Sequence, residues 1–343
     1  MTFSNLSQVL LRNKDLLSAE KPLLINMPND TLGQEVLKLS PQAQLSYFDN
    51  NYAQHLYHKN QNKGLCHFAA YYQSKEVHDL IIISFPKSKN ELNFTLAMLT
   101  QCSHSNTRIL IVGENKSGIK SLEKLTKNSL QHCDKIDSAR HCVLFQAQLI
   151  NNLAKFELDI WYHYYQVSIG NKQFNVAALP GVFSQAKLDK GTAILLEQLN
   201  EPLIGDILDF GCGAGVIACF IGLKNPQAEL VLADVSALAL TSAQKTLEIN
   251  DLSGQYIATD SLSNISGKFS HVISNPPFHQ GVKTHYAATE QFLANIAQFL
   301  LPRGKLTIVA NSFLRYQEIM NKSLNKVAVK LSKQGFTIYQ GEK

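Results

Sequence analysis

The chain has 343 residues, of which 45% are hydrophobic and 17% charged, and it carries a formal net charge of +5. The length predicts two domains and the composition a globular protein. No apolar run is long enough to span a membrane, and the slight positive excess is compatible both with a phosphate-backbone partner and with an ordinary, mildly basic enzyme.

The start, "MTFSNLSQVLLRNKDLL", reads as an amphipathic helix without an apolar export core or a cleavage site. The stretch "LLINMPNDTLG" follows, with one late glycine. "HDLIIISFPKSK" (His78 to Lys89) predicts an apolar strand that ends at proline, "NELNFTLAMLTQC" a helix and "RILIVGENKSG" a strand. Lys87, Lys89, Lys116 and Lys120 fall at these strand ends, where they either touch phosphate or form a solvated charged edge. A linker is expected within Leu153 to Phe174. Its aromatics Trp161, Tyr162, Tyr164 and Tyr165 either pack between domains or stack on bases.

The second half is more regular. "DILDFG" (Asp206 to Gly211) predicts a strand, "AGVIACFIGLKN" (Ala214 to Asn225) a helix and "AELVLADVS" (Ala228 to Ser236) a strand. "ALALTSAQKTLEIND" (Ala237 to Asp251) predicts a helix capped by Ser236. "GQYIATDS" and "FSHVISNPP" are two further strands. "AATEQFLANIAQFLLPRG" is expected to be a helix that stops at Pro302 and Gly304, before a strand in "KLTIVANSF". Such alternation predicts a doubly wound α/β fold with a parallel sheet. The strand-helix-strand order around "FPKSK" repeats around "NPPFHQG", so the chain reads as an internal duplication whose first copy has lost its glycine loop.

Two motifs carry chemistry. In "DFGCGAGV" (Asp209 to Val216), Gly211, Gly213 and Gly215 alternate between a strand and a helix. The spacing is neither the dinucleotide GxGxxG nor a triphosphate loop. Asp209 precedes it, and Asp234 ends the next strand, where a carboxylate binds a ribose diol or serves a turn. Asp260 stands after the third strand and is placed to accept from an adenine amino group.

The second motif is "SNPPF", Ser274 to Phe278. Proline lacks a donor and stiffens the corner. The Asn275 side-chain carbonyl and the Pro276 backbone carbonyl form a pair of acceptors for the two hydrogens of an amino group. Phe278 offers a flat face for a base drawn from its helix. His279, next along, either hydrogen-bonds near the base or is an ordinary surface histidine, and no catalytic role is assigned to it. The six cysteines, Cys66, Cys102, Cys133, Cys142, Cys212 and Cys219, form no CxxC pair and no ligand-like group with histidine. Free thiols in a reducing cytoplasm and no bound metal are expected.

The glycine loop resembles motif I of class I S-adenosylmethionine-dependent methyltransferases. By that resemblance Asp209, Gly211, Gly213, Gly215, Asp234, Asp260 and Ser261 bind S-adenosyl-L-methionine. The corner resembles the (Asp/Asn/Ser)-Pro-Pro-(Tyr/Phe/Trp) motif of amino-directed methyltransferases, which makes Asn275, Pro276 and Phe278 catalytic. Taken with "LPGVFS" (Leu179 to Ser184), "LDKGTAILLE", "VGENKSG", "DKIDSARHC" and "IVANSFLRY", the chain resembles the ribosomal RNA small-subunit methyltransferase C family along nearly all its length. The resemblance implies two tandem Rossmann-like class I methyltransferase domains, a degenerate one at 1–160 and a catalytic one at 161–343. It further implies methylation of a guanine N2 amine of 16S rRNA in the 30S subunit; a monomer with no membrane partner is expected. Phe183 and Ser184 are candidates for the substrate or cofactor side. The bare motifs leave other acceptors open: a large-subunit rRNA guanine, adenine N6, cytosine N4 or a protein glutamine. A binding module without catalysis would have no need of either motif.

Overall fold

The computed structural model describes residues 3–151, 153–276 and 283–343. The chain divides into two compact units, Met1–Trp161 and Tyr162–Lys343. The first is built on β1 (Pro22–Ile25), β2 (Ser46–Asp49), β3 (Leu65–Phe68), β4 (Leu80–Ser84), β5 (Arg108–Glu114), β6 (Leu130–Ala139) and β7 (Cys142–Leu149). Their order in the sheet is β3-β2-β1-β4-β5-β7-β6. Its helices are α1 (Asn5–Arg12), α2 (Leu32–Leu39), α3 (Tyr52–Gln61), α4 (Lys89–Met98) and α5 (Leu122–Thr126). The central strands β1 and β4 are almost wholly apolar because helices cover both faces of a parallel sheet.

The second unit opens with a hairpin, β8 (His163–Ile169) and β9 (Lys172–Ala178). Then follow α6 (Lys190–Gln198), β10 (Gly205–Phe210), α7 (Val216–Lys224), β11 (Ala228–Asp234), α8 (Ala237–Glu248), β12 (Gln255–Ala258) and β13 (Phe269–Ser274). The unit ends with α9 (Lys283–Asn295), β14 (Leu300–Asn311), α10 (Tyr316–Met320), β15 (Asn325–Lys333) and β16 (Phe336–Glu342). Its main sheet runs β12-β11-β10-β13-β14-β16-β15, the order of the first sheet with every strand number raised by nine. Both sheets are mixed, since β7 and β16 run antiparallel to their neighbours.

Two expectations change. The helix before β14 ends at Asn295, continues as a 3-10 turn over Ile296–Phe299, and Pro302 and Gly304 lie inside the strand. Pairing with β13 is irregular between Phe269 and His271, and an irregular pairing accepts a proline. A side chain at Gly304 would come within 2.9 Å of the Phe269 carbonyl oxygen. Most of the expected linker is also built into the units. Trp161 and Phe156 pack edge-on against Phe94 in the first unit, while β8 and the start of β9 belong to the second. Phe174 and Val176 of β9 are buried, and Ser242 and Thr246 of α8 donate to or accept from the β9 backbone and Leu179.

The duplication extends to single hydrogen bonds. The Asn26 amide donates to Phe48 O at 2.9 Å, and the Gly211 amide to Ala233 O at 2.8 Å. Asp49 therefore occupies in the first unit the place of Asp234 in the second. Two residues on, Asn51 caps α3 through Gln54 N, as Ser236 caps α8 through Ala239 N. Seven residues further, however, His58 stands where the second unit has Ala243. The His58 ring bonds the Asp49 carboxylate at 2.8 Å and reaches the Pro28 carbonyl at 3.4 Å. Tyr47 stacks on the ring at 4.4 Å. Pro28 holds the register of Gly213, so the cradle of the first copy is filled by the protein's own imidazole. Ser84 likewise takes the register of Asn275, because Ile25 pairs with Ile83 as Phe210 pairs with Ser274.

His58 and Asp49 are both fully buried, and Asp49 Oδ1 already lacks a partner. Replacing His58 with Ala strips the second carboxylate oxygen as well. Urea unfolding of His58→Ala should show a loss of about 3 kcal/mol or more; an unchanged midpoint would show that the pair contributes nothing to the first unit.

Candidate active site

The strands β10, β11 and β13 bring their carboxyl ends to one edge of the second sheet, the edge where ligands bind in open α/β sheets. The hydroxyl of Ser274 donates to Phe210 O at 2.7 Å, which fastens the start of the proline corner to the last residue before the glycine loop. Behind this junction Phe210 stacks face to face on Phe292, with centroids 4.2 Å apart.

Each loop glycine has positive φ, at 72° for Gly211, 52° for Gly213 and 75° for Gly215, a region that costs other residues about 1–2 kcal/mol. Their surroundings differ. A Cβ at Gly211 or Gly213 would meet nothing within 4 Å, whereas one at Gly215 would lie 2.9 Å from the Cβ of Ala243. Gly215 thus lets α8 approach the loop, and the first two glycines keep a space clear in front of it.

Two carboxylates support the loop. Asp234 accepts from Gly213 N at 3.0 Å through Oδ2 and from Ser236 N at 2.9 Å through Oδ1. Lone pairs remain on both oxygens, so Asp234 can shape the loop and still receive a diol. Asp209 is 1% exposed. Its Oδ2 accepts from Ala218 N in the first turn of α7 at 3.0 Å, and its Oδ1 has no partner. Burial, joined by the charge of Asp234, pushes Asp209 up to about 7, and burial also raises Asp234. The part-buried Asp234 carboxylate at the end of β11 is the acidic group open to a ligand at this edge, and a carboxylate suits a cationic or hydroxyl-bearing one. S-Adenosylmethionine, with its sulfonium and ammonium groups, is of that kind. Asp260, exposed beyond β12, accepts from Ser263 Oγ, and the Ser261 carbonyl accepts from Thr259 Oγ1 at 2.8 Å.

At the corner, Asn275 is half-buried and Pro276 buried. The amide nitrogen of Asn275 donates to Asp189 Oδ2 at 3.1 Å and to Thr192 Oγ1 at 2.8 Å. Asp189 is the N-cap of α6 and accepts from Thr192 N at 2.9 Å. Both hydrogens of the amide are therefore engaged, and its carbonyl is the end left to accept. The motif did not announce this: the D-x-x-T pattern marks a helix start, but nothing in it points across 86 residues to Asn275. Phe278 and His279 lie outside the described residues.

Phe183 is 56% exposed on the segment between β9 and α6, and Ser184 beside it has a φ of 57°. In the first unit, Lys87, Lys89 and Lys116 are exposed. Lys116 pairs with Glu114 at 3.0 Å, while Lys89 begins α4 behind its Ser88 cap. Tyr164 is half exposed, and Tyr165 turns its hydroxyl inward. All six cysteines are free thiols, and burial pushes Cys212 beside the loop well above its ordinary value. No helix among the described residues is long and apolar enough to cross a membrane.

Two family models match the chain, the methyltransferase small domain N-terminal model over residues 7–165 and the methyltransferase small domain model over 173–340. A Colwellia psychrerythraea ribosomal RNA small subunit methyltransferase C is 48% identical, covering 100% of this chain and 98% of its own length. The Pseudoalteromonas translucida protein of the same name is 40% identical, covering 98% of each. The chain belongs to the ribosomal RNA small subunit methyltransferase C family. The structure of a T. thermophilus 16S rRNA N2 G1207 methyltransferase, in complex with AdoMet and guanosine, superposes with a TM-score of 0.82 at 20% identity, over 96% of this chain and 91% of that one. The shared fold comprises both units.

Asp234→Ala removes the acceptor that shapes Gly213, and cofactor affinity measured by calorimetry should fall at least about 10-fold; unchanged affinity would remove Asp234 from the site. A second expectation concerns acid-base behaviour. Asp209 has its folded value raised from 3.8 to about 7, so between those values the folded state holds the proton more tightly than the unfolded one. Its contribution to stability is full below pH 4 and is lost as pH rises through 7. Asp209→Asn should flatten the decline in melting temperature over that window, and a parallel pH profile for the variant would count against the buried, unpartnered carboxyl.

Proposed function

We propose that the chain transfers the methyl group of S-adenosylmethionine to the exocyclic N2 amine of a guanine in 16S ribosomal RNA. The target is presented in the 30S subunit, in the cytoplasm, to a monomeric enzyme. The second unit, 162–343, is catalytic. The first, 1–161, contributes RNA recognition and stability, with Lys87, Lys89 and Lys116 as candidate phosphate contacts. The observation that carries the reading is the Asn275 amide, whose nitrogen is fully engaged and whose carbonyl is free to accept at the sheet edge beside the glycine loop. The names of the relatives and the guanosine complex of the T. thermophilus protein support guanine as the base and 16S RNA as its carrier.

The cofactor is assigned to Gly211, Gly213 and Gly215, with Asp234 on its ribose, Asp260 and Ser261 toward its adenine, and Asp209 behind the loop. When bound it supplies an electrophilic methyl carbon. The remaining work falls to the chain. An exocyclic amine on a base is conjugated and weakly nucleophilic. Asn275 Oδ1 and the Pro276 carbonyl accept its two hydrogens, which favours a tetrahedral nitrogen with its lone pair directed at the methyl group. The same two oxygens stabilise the positive charge that grows on the nitrogen. Phe278 and the exposed Phe183 are the aromatic surfaces assigned to the extruded base. Orientation of this kind is worth on the order of 7–11 kcal/mol in favourable cases.

Labelled methyl transfer tests the reading. The parent chain should label 30S subunits, with N2-methylguanosine as the product on nucleoside analysis and no label in 50S subunits. Label in N6-methyladenosine or in protein glutamine would overturn the guanine assignment. Asn275→Ala should lower kcat by about 100-fold or more and leave cofactor affinity within about two-fold of the parent.

A further inference from the structure

We propose that Asp189 and Thr192 are positioning residues that set which end of the Asn275 amide faces the target amine. This rests on the methyl-transfer reading given above. An asparagine side chain has two ends of nearly equal size, and a half-turn about its last bond exchanges an acceptor for a donor. Only the acceptor end is useful to an amine that must give up two hydrogen bonds, so the rotamer has to be chosen by the surroundings.

The surroundings choose it twice. Asp189 Oδ2 receives the amide nitrogen at 3.1 Å, and a carboxylate has no hydrogen to offer an oxygen put in the same place. Thr192 Oγ1 receives the other hydrogen at 2.8 Å. Its own hydrogen points at Asp189 Oδ2, 3.3 Å away, so Thr192 also meets Asn275 with a lone pair. A flipped amide would set its oxygen against two acceptors and forfeit a bond to a charged group, the stronger kind. The clamp is itself anchored. Asp189 Oδ2 accepts from Thr192 N at 2.9 Å as the cap of α6, and Thr192 is buried within that helix. The orientation of the catalytic amide is thus written into the start of a helix that forms no part of the proline motif.

Substitutions that keep the cap and remove the clamp test this. Asp189→Ser retains a capping oxygen too short to reach Asn275. Thr192→Val keeps the shape and deletes the hydroxyl. For both, kcat at saturating cofactor and 30S subunits should fall about 10- to 100-fold, with cofactor affinity by calorimetry and melting temperature close to the parent. Asp189→Asn, whose oxygen can stand in for Oδ2, and Thr192→Ser should recover most of the rate. Parental kcat in Asp189→Ser and Thr192→Val, or a loss confined to KM or cofactor affinity, would overturn the proposal. If Asp189→Ser does not fold, Thr192→Val decides alone. A parent chain that leaves guanine amines unmodified overturns the reading beneath the proposal, and that outcome is visible before any variant is made.

Discussion

In the second unit β10 lies between β11 and β13, and its register with each decides what meets at the sheet edge. Asp209 pairs with Leu232 on one side and with Ile273 on the other. The next residues therefore arrive together: Phe210 beside Ala233 and Ser274, then the glycine loop, Asp234 and Asn275. A slip of one residue on either side would turn every side chain to the opposite face. It would carry the carboxylate away from Gly213 or the amide away from Asp189. The bond from Ser274 to the Phe210 carbonyl guards this register at the point where the strands end. Helix caps, the glycine turns and the amide clamp are all arranged around a position that the parallel pairing has already set.

The two copies show how little of that scaffold specifies activity. Strand order, the hydrogen bond donated by the backbone N–H of the first loop residue and the helix cap two residues past the acid are shared between them. What differs is occupancy. The second copy pairs a glycine loop with a small alanine on the facing helix and so leaves space. The first pairs Asn26 and Pro28 with a histidine and closes it. Asp49 and Asp234 hold equivalent places, yet Asp49 is fully buried against an internal imidazole and Asp234 stays part-exposed at the sheet edge.

Much of this was legible before any coordinates. Alternating apolar strands and helices, three glycines with positive φ and an acid at the end of the following strand each have a local cause, and local causes are written in short stretches of sequence. The caps at Ser236 and Asn51 belong to the same class, although only the first was read. The failures are non-local. Pro302 and Gly304 signal a helix end by composition, but the pairing of β14 with β13 decides that they sit in a strand. The antiparallel strands β15 and β16 follow one another without a helix, so no alternation marks them. His58 reads as one more residue on a polar helix until the fold brings it to Asp49. Asp189 and Thr192 give a plain helix-start pattern, and their second use depends on a neighbour far along the chain.

The imidazole in the first cradle also bears on the history of the duplication. To reopen that copy, a histidine would have to leave a buried carboxylate, a glycine would have to replace Pro28, and an amide would have to return at Ser84. Removing the histidine alone leaves a buried carboxylate without its partner and supplies neither the glycine nor the amide. A cradle closed in this way is locked by the stability of its own domain, since opening it costs the buried pair before it can supply any chemistry.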